Sequence, residues 1–176
     1  MIQLKGISWD HPRGFDPMVA TAKKFNQKYP EIKIEWDKRP LQAFADRPIE
    51  NMAFEYDLMV IDHPHVGEAS RKNLLLELDD YEEYKNQLSE LFKNSVGKSH
   101  ESYNFNNHQY ALAIDAAAPV AAYNKKFINE LPLTFEKVIK LAEKSLVLWP
   151  IKPIDAISSF NTIAANIGSA IYNDNE

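Results

Sequence analysis

One tripeptide occurs twice in this chain, each time among residues that can do chemistry: Asp10-His11-Pro12 lies between Trp9 and Arg13, and Asp62-His63-Pro64 is followed by His65. Three histidines and two aspartates supply enough donors for zinc or a related ion. Two carboxylates beside an imidazole suit a hydrolase that works by acid and base once their environments separate the pKa values. Carboxylates and a guanidinium also make paired hydrogen bonds with neighbouring hydroxyls, and an indole offers apolar surface to a sugar ring. Beside these stands a purely structural reading, because Asp bonds the backbone two residues on and Pro pre-sets the bend of a turn. The metal reading lacks the i, i+4 histidine pair on a helix that makes such motifs specific. No metal and no cofactor is therefore expected, and the polar-ligand reading leads.

The elements around these stretches decide whether they meet. Ile2 to Trp9 reads as a strand and Pro17 to Lys28 as a helix, with Asp16 as N-cap, Pro17 at the first position and Val19, Ala22 and Phe25 inward. Glu31 to Trp36 alternates with Trp36 on the core side, Leu41 to Phe54 reads as a helix broken near Pro48, and Asp57 to Ile61 is an apolar run typical of a strand covered on both faces. Right-handed crossovers then favour sheet order 2-1-3. That order puts Trp9, Asp10, His11 and Arg13 beside Asp62, His63 and His65 at the carboxyl end of the sheet.

Further along, Tyr81 to Val96 has the period of an amphipathic helix with Tyr84, Leu88, Leu91 and Phe92 on one side, and Asn106-Asn107 can turn a hairpin. Tyr110 to Asp115 and Val120 to Asn124 read as extended, Thr134 as a helix cap, and Leu146 to Trp149 as a short strand. A last helix spans Ile154 to Ile167 with Ile157, Phe160, Ile163, Ala164 and Ile167 inward, and Tyr172 to Glu176 should fray.

Composition removes several function classes. Net charge is −5 and no run of Lys or Arg is long enough to follow a phosphate backbone, so nucleic acid is not an expected partner. Cysteine is absent, which excludes disulfides and thiolate sites. The longest apolar stretch, Ala111 to Tyr123, is broken by Asp115 and Pro119 and falls short of the ~20 residues a membrane helix needs. The opening residues lack the basic and apolar regions of a signal peptide.

The order and spacing of several stretches resemble the extracellular solute-binding proteins of ABC transporters, in the group that includes sugar binders. They are Gly6 to Pro17, Leu41 to Phe44, Asp57 to Gly67, Tyr110 to Asp115, Val120 to Asn124 and Thr134 to Glu136. The resemblance implies a type II periplasmic binding protein-like α/β fold with helices on both faces of the lobe-one sheet. Lobe one would occupy residues 1–115, and residues 116–176 would hold the hinge crossing and the first part of an incomplete second α/β lobe. It implies solute contacts from Asp62, His63 and His65 after the third strand, an acidic contact from Asp115 at the crossing, and Lys152, with Trp149, from a loop that closes over the ligand. It also implies a non-enzymatic role, a small polar solute such as a sugar, a membrane permease as partner and an extracytoplasmic location. Family members usually run to about twice this length, so an incomplete lobe two is expected to expose apolar surface able to pair with a second copy.

Overall fold

A computed structural model describes residues 1–40, 48–169 and 171 of the chain. Residues 41–47 of the expected Leu41–Phe54 helix, the Leu41–Phe44 stretch of the resemblance, and the frayed Tyr172–Glu176 tail lie outside the described residues. The chain divides into two compact units, Met1–Ala116 and Ala117–Glu176.

In the first unit, strand β1 (Ile2–Trp9) pairs in parallel with β2 (Ile32–Arg39) along its whole length, from Ile2 opposite Ile32 to Trp9 opposite Arg39. On its other side it pairs in parallel with β3 (Leu58–Met59), Gly6 opposite Leu58 and Ile7 opposite Met59. The sheet order is β2-β1-β3, as the crossover argument requires. Gly6, Ile7 and Ser8 are consecutive and all buried, which in a strand of period two means that both faces of β1 are covered. Trp36 of β2 lies over Gly6, where an added Cβ would come within 2.5 Å of the ring. The indole is thus part of the packing, the role its strand alternation assigns it.

β3 departs from expectation. Its regular ladder is two residues long, Asp57 is exposed and Leu58 is 36% exposed, so this strand is not covered on both faces. The ladder is extended by single bonds instead: Asp57 N–H donates to the Lys5 carbonyl (2.8 Å), Val60 N–H donates to the Ile7 carbonyl (2.9 Å), and Asp57 Oδ2 accepts from Lys5 N–H (2.8 Å).

The first helix also begins earlier than its sequence signals suggest. α1 spans Pro12–Lys28 rather than starting at Pro17, with His11 as N-cap and Pro12 at the first position. His11 Nδ1 accepts from Arg13 N–H (3.1 Å), which satisfies one of the donors a helix start leaves open. Asp16 and Pro17 therefore lie inside the helix. Gly14 permits this start because the Trp9 ring occupies the space a side chain would need: a Cβ there would meet the indole at 2.2 Å. Ala22 is buried and Phe25 half-buried as expected, whereas Val19 is 43% exposed and Met18 takes a half-buried place.

Beyond β2 come α2 (Ile49–Glu55) and, after β3, a single 3-10 turn at His63–His65 that runs into α3 (Val66–Arg71). Ile49, Met52, Ile61, Val66, Ala69 and Tyr110 form one buried cluster. A 3-10 turn covers Leu78–Asp80, where extension over Leu74–Leu78 is the simpler sequence reading. α4 spans Lys85–Asn94, shorter than Tyr81–Val96, with Tyr84, Leu91 and Phe92 each more than 40% exposed. The Asn106-Asn107 hairpin is present: β4 (Asn104–Phe105) and β5 (His108–Gln109) pair antiparallel. Asn106 and Asn107 sit at φ 52° and 67°, the signature of a type I′ turn.

The second unit holds α5 (Phe135–Glu143) and α6 (Pro153–Asn166). Thr134 caps α5, its hydroxyl accepting from Lys137 N–H (3.4 Å). Among the described residues, Val120–Asn124 and Leu146–Trp149 make no strand, Leu148 is fully exposed, and Lys125–Asn129 forms only a turn. Of the residues expected inward on α6, Ala164 is buried and Ile163 half-buried, but Ile157, Phe160 and Ile167 are exposed. Among the described residues these signals find only a partial partner surface within the unit, Trp149 on Phe135 and Ser159.

Two consequences are measurable. Alanine normally improves a helix by up to ~1 kcal/mol over glycine, yet Gly14→Ala is expected to destabilise by about 1–3 kcal/mol because it overpacks against Trp9; urea unfolding reads the sign, and a stabilised variant would contradict this packing. His100 is buried and its pKa is lowered by desolvation. The unfolded chain takes up that proton below pH ~6.5 while the native state resists it, so stability should fall as pH drops through ~6.5. Unfolding midpoints from pH 7.5 to 5.5 should show this slope, and a smaller slope in His100→Gln.

Candidate functional site

The carboxyl ends of β1 and β3 lie side by side because both strands run parallel from the same edge. Both Asp-His-Pro tripeptides sit there, and both begin helical segments. In the first, His11 is the cap residue; in the second, Asp62 is the cap position of the His63–His65 turn and its carbonyl accepts from His65 N–H (3.1 Å). Part of the tripeptide's purpose is thus the turn chemistry that the sequence allows for.

What converges is a smaller set than the sequence nominates. Arg13 leaves the first turn of α1 and its Nε and Nη2 both donate to Asp115 Oδ2, at 2.9 and 2.5 Å. The other carboxylate oxygen, Oδ1, accepts from Ala116 N–H (2.9 Å). Asp115, 102 residues on in the chain, is therefore held from two directions. Such a charge-assisted pair fixes both side chains more firmly than a neutral hydrogen bond.

Tyr103, which the sequence does not single out, lies within the field of both Asp115 and Asp62. Its hydroxyl donates to the Ile61 carbonyl (3.0 Å), at the point where β3 gives way to the Asp62 turn. Burial, and after it the negative charges of Asp62 and Asp115, raise the phenol's pKa above its usual value. Arg13 and Asp115 are thus directly paired, and Tyr103, bonded at the end of β3, stands within electrostatic reach of Asp115 and Asp62. No local pattern identifies Tyr103, because it reaches the site from the turn before the β4–β5 hairpin.

The other nominated residues lie differently. Asp10 turns toward β2, where its Oδ1 pairs with Lys38 Nζ (2.8 Å). Trp9 is half-buried with its ring on Gly14. His11 Nδ1 is taken by the cap. His63 is exposed and His65 half-buried. In the second unit Lys152 is exposed at the cap position of α6, its carbonyl accepting from Ala156 N–H (2.7 Å). Trp149 is tied to that helix through a bond from its Nε1 to Ser159 Oγ (2.9 Å). In the first unit a groove of 690 Å³ lies between α1 and β2 and is lined by none of these residues; in the second, a groove of 420 Å³ is lined by residues around Phe127 and Leu146. Among the described residues, the side-chain group close enough to share a metal ion is Glu77, Asp80 and His108, not the Asp-His-Pro pair.

Comparison with known proteins agrees with this architecture. A family model described as bacterial extracellular solute-binding protein matches residues 8–147. The maltotriose-binding protein of Pyrococcus abyssi is 23% identical over 157 residues, covering 84% of this chain and 34% of that protein. The structure of the Thermus thermophilus maltotriose binding protein bound with maltotriose aligns at 22% identity and TM-score 0.52, covering 85% of this chain and 38% of that one. A cyclo/maltodextrin-binding protein complexed with maltotetraose aligns at 20% identity and TM-score 0.57, covering 81% and 36%. The chain spans about a third of the length of these relatives.

The electrostatics around Tyr103 can be titrated. Among eight tyrosines, its phenol should ionise above the ordinary value near 10, followed by NMR of ring-labelled tyrosine. Asp62→Asn and Asp115→Asn should each lower that pKa by removing a negative charge that opposes the phenolate, while burial keeps it above ~10. A value unmoved by both substitutions would separate Tyr103 from the two carboxylates.

Proposed function

This chain belongs to the bacterial extracellular solute-binding protein family, and we propose on that premise that it serves as the substrate-binding component of an ABC-type uptake system for a small carbohydrate. The observation that carries this reading is the Arg13–Asp115 pair, with Tyr103 bonded to the Ile61 carbonyl in the field of Asp62 and Asp115, at the carboxyl end of a parallel sheet, where α/β folds bind ligands. Carboxylates, a guanidinium and a phenol are suited to a polyhydroxylated solute, since each can share hydrogen bonds with adjacent hydroxyls. Named relatives bind maltotriose and maltotetraose, which makes a short maltodextrin the first solute to test.

In this reading lobe one ends near Asp115, and residues from about 116 onward form the hinge crossing and the first part of lobe two. The Ala116-Ala117-Ala118 run has little side-chain bulk to resist backbone rotation. Asp62, His63 and His65 line the solute from one lobe, Trp9, Asp10 and His11 border it, and Lys152 approaches from the other when the cleft closes. Hydrogen bonds and exclusion of water then suffice for binding without covalent chemistry. A membrane permease receives the solute, and the protein works outside the cytoplasm. Among the described residues no helix is long and apolar enough to cross a membrane.

Calorimetry against maltose, maltotriose, maltotetraose and unrelated monosaccharides tests this reading. Asp62→Ala and Arg13→Ala are each expected to weaken the best binder at least tenfold while leaving the circular dichroism spectrum unchanged. A flat panel for folded protein, or turnover of a chromogenic glycoside, would overturn it, the latter in favour of a hydrolase.

A further inference from the structure

The first unit holds a second cluster of polar groups, away from the strand ends. His108, the first residue of β5, faces the 3-10 turn Leu78–Asp80 and the residue before it. Its Nδ1 lies 3.4 Å from Glu77 Oε2, 3.3 Å from Asp79 Oδ2 and 3.8 Å from Asp80 Oδ1. That nitrogen is shielded from solvent and has no hydrogen-bond partner, although the ring as a whole is 37% exposed. Three carboxylate oxygens therefore surround a nitrogen that bonds to none of them.

The carboxylates are aimed by bonds from outside the cluster. Glu77 Oε1 accepts from the buried Tyr110 hydroxyl (2.8 Å), which in turn accepts from Ser70 Oγ (2.9 Å). Asp79 Oδ1 accepts from Gln109 N–H (2.8 Å). In each carboxylate one oxygen is fixed by the protein frame and the other turns toward His108. Orientation of ligand groups by partners beyond them is what a metal site requires.

The spacing fits a particular coordination geometry. With metal–ligand bonds of about 2.0–2.1 Å, two ligands of a tetrahedral ion stand roughly 3.3–3.4 Å apart. The Nδ1 separation from Glu77, 3.4 Å, matches that edge, and Asp80 at 3.8 Å lies close to it. An octahedral ion with the same bonds would bring neighbouring ligands to roughly 2.9 Å. One imidazole with carboxylates also suits a borderline first-row ion better than calcium or magnesium.

We propose that His108 Nδ1, Glu77 Oε2 and the more exposed Asp80 Oδ1 form a site for a divalent cation of the zinc class, which clamps the β4–β5 hairpin onto the Leu78–Asp80 turn, with Asp79 beside the imidazole. His108 binds through an unprotonated Nδ1, with its proton on Nε2. The site is structural: the hairpin follows directly on Tyr103, so the ion stiffens the segment that carries that residue to the strand ends.

The test uses the full chain after chelator treatment, titrated with zinc chloride by calorimetry and followed by imidazole 15N NMR. One zinc per chain is expected, with the His108 Nδ1 resonance shifted and the melting temperature raised. His108→Gln should weaken zinc binding at least tenfold. Asp80→Asn, at a side chain 63% exposed, should weaken it several-fold with an unchanged metal-free melting temperature. A triple His11→Gln, His63→Gln, His65→Gln variant should bind as before. Absence of heat, or binding unchanged in His108→Gln or lost in the triple variant, would overturn the proposal.

Discussion

A parallel ladder leaves its loops little freedom. β1 is bonded to β2 through all eight of its residues and to β3 through two, so the chain must leave every strand of the sheet at the same edge. Everything polar that this unit gathers depends on that constraint. Arg13 stands where it does because α1 starts three residues after the end of β1, and Asp62 because the next turn starts four residues after the end of β3. The indole of Trp9 fixes the angle of departure by lying on Gly14, where a side chain would force the helix away.

Long-range contacts then close the edge. Asp115 is drawn to Arg13 across 102 residues of sequence, and Tyr103 is drawn to the Ile61 carbonyl across 42. Both come from the segment around the β4–β5 hairpin, whose own position is set by Gln109, with its backbone on Asp79 and its side chain on the carbonyls of His100 and Ala111. A hairpin of two-residue strands has little stability alone. Its placement rests on these bonds and on Tyr110 in the buried cluster, which is why the polar groups at the strand ends and those around His108 are mechanically one system.

Most of the first unit was legible from pattern. β1, the alternation of β2, the 2-1-3 order and the Asn106-Asn107 turn follow from period-two hydrophobicity, crossover handedness and the tolerance of asparagine for positive φ. The start of α1 was not, because two sets of N-terminal signals compete: Asp16-Pro17 has the stronger local propensity, but His11-Pro12 wins through the Trp9–Gly14 contact. α6 and the Leu146–Trp149 stretch show the converse, hydrophobic period with little burial inside their own unit. Of the nominated residues, Arg13 and Asp115 are paired and Asp10 and His11 are used locally; Tyr103, whose phenol feels Asp62 and Asp115, has no local signal.

The sequence by itself determined which residues could carry polar chemistry and at which edge of the sheet two of its loops would emerge, since alternation and crossover handedness are local or nearly local properties. Tertiary structure alone decided which of those residues share a neighbour. Side chains separated by 40 to 100 positions meet only through packing, and nothing in the period of a strand or helix encodes that a tyrosine just before a hairpin will reach a carbonyl 42 positions away and feel two aspartates from elsewhere in the chain. The same reason separates the repeated Asp-His-Pro motif, visible on first reading, from the set of His108, Glu77, Asp79 and Asp80, whose members attract no notice until the hairpin folds back onto the turn.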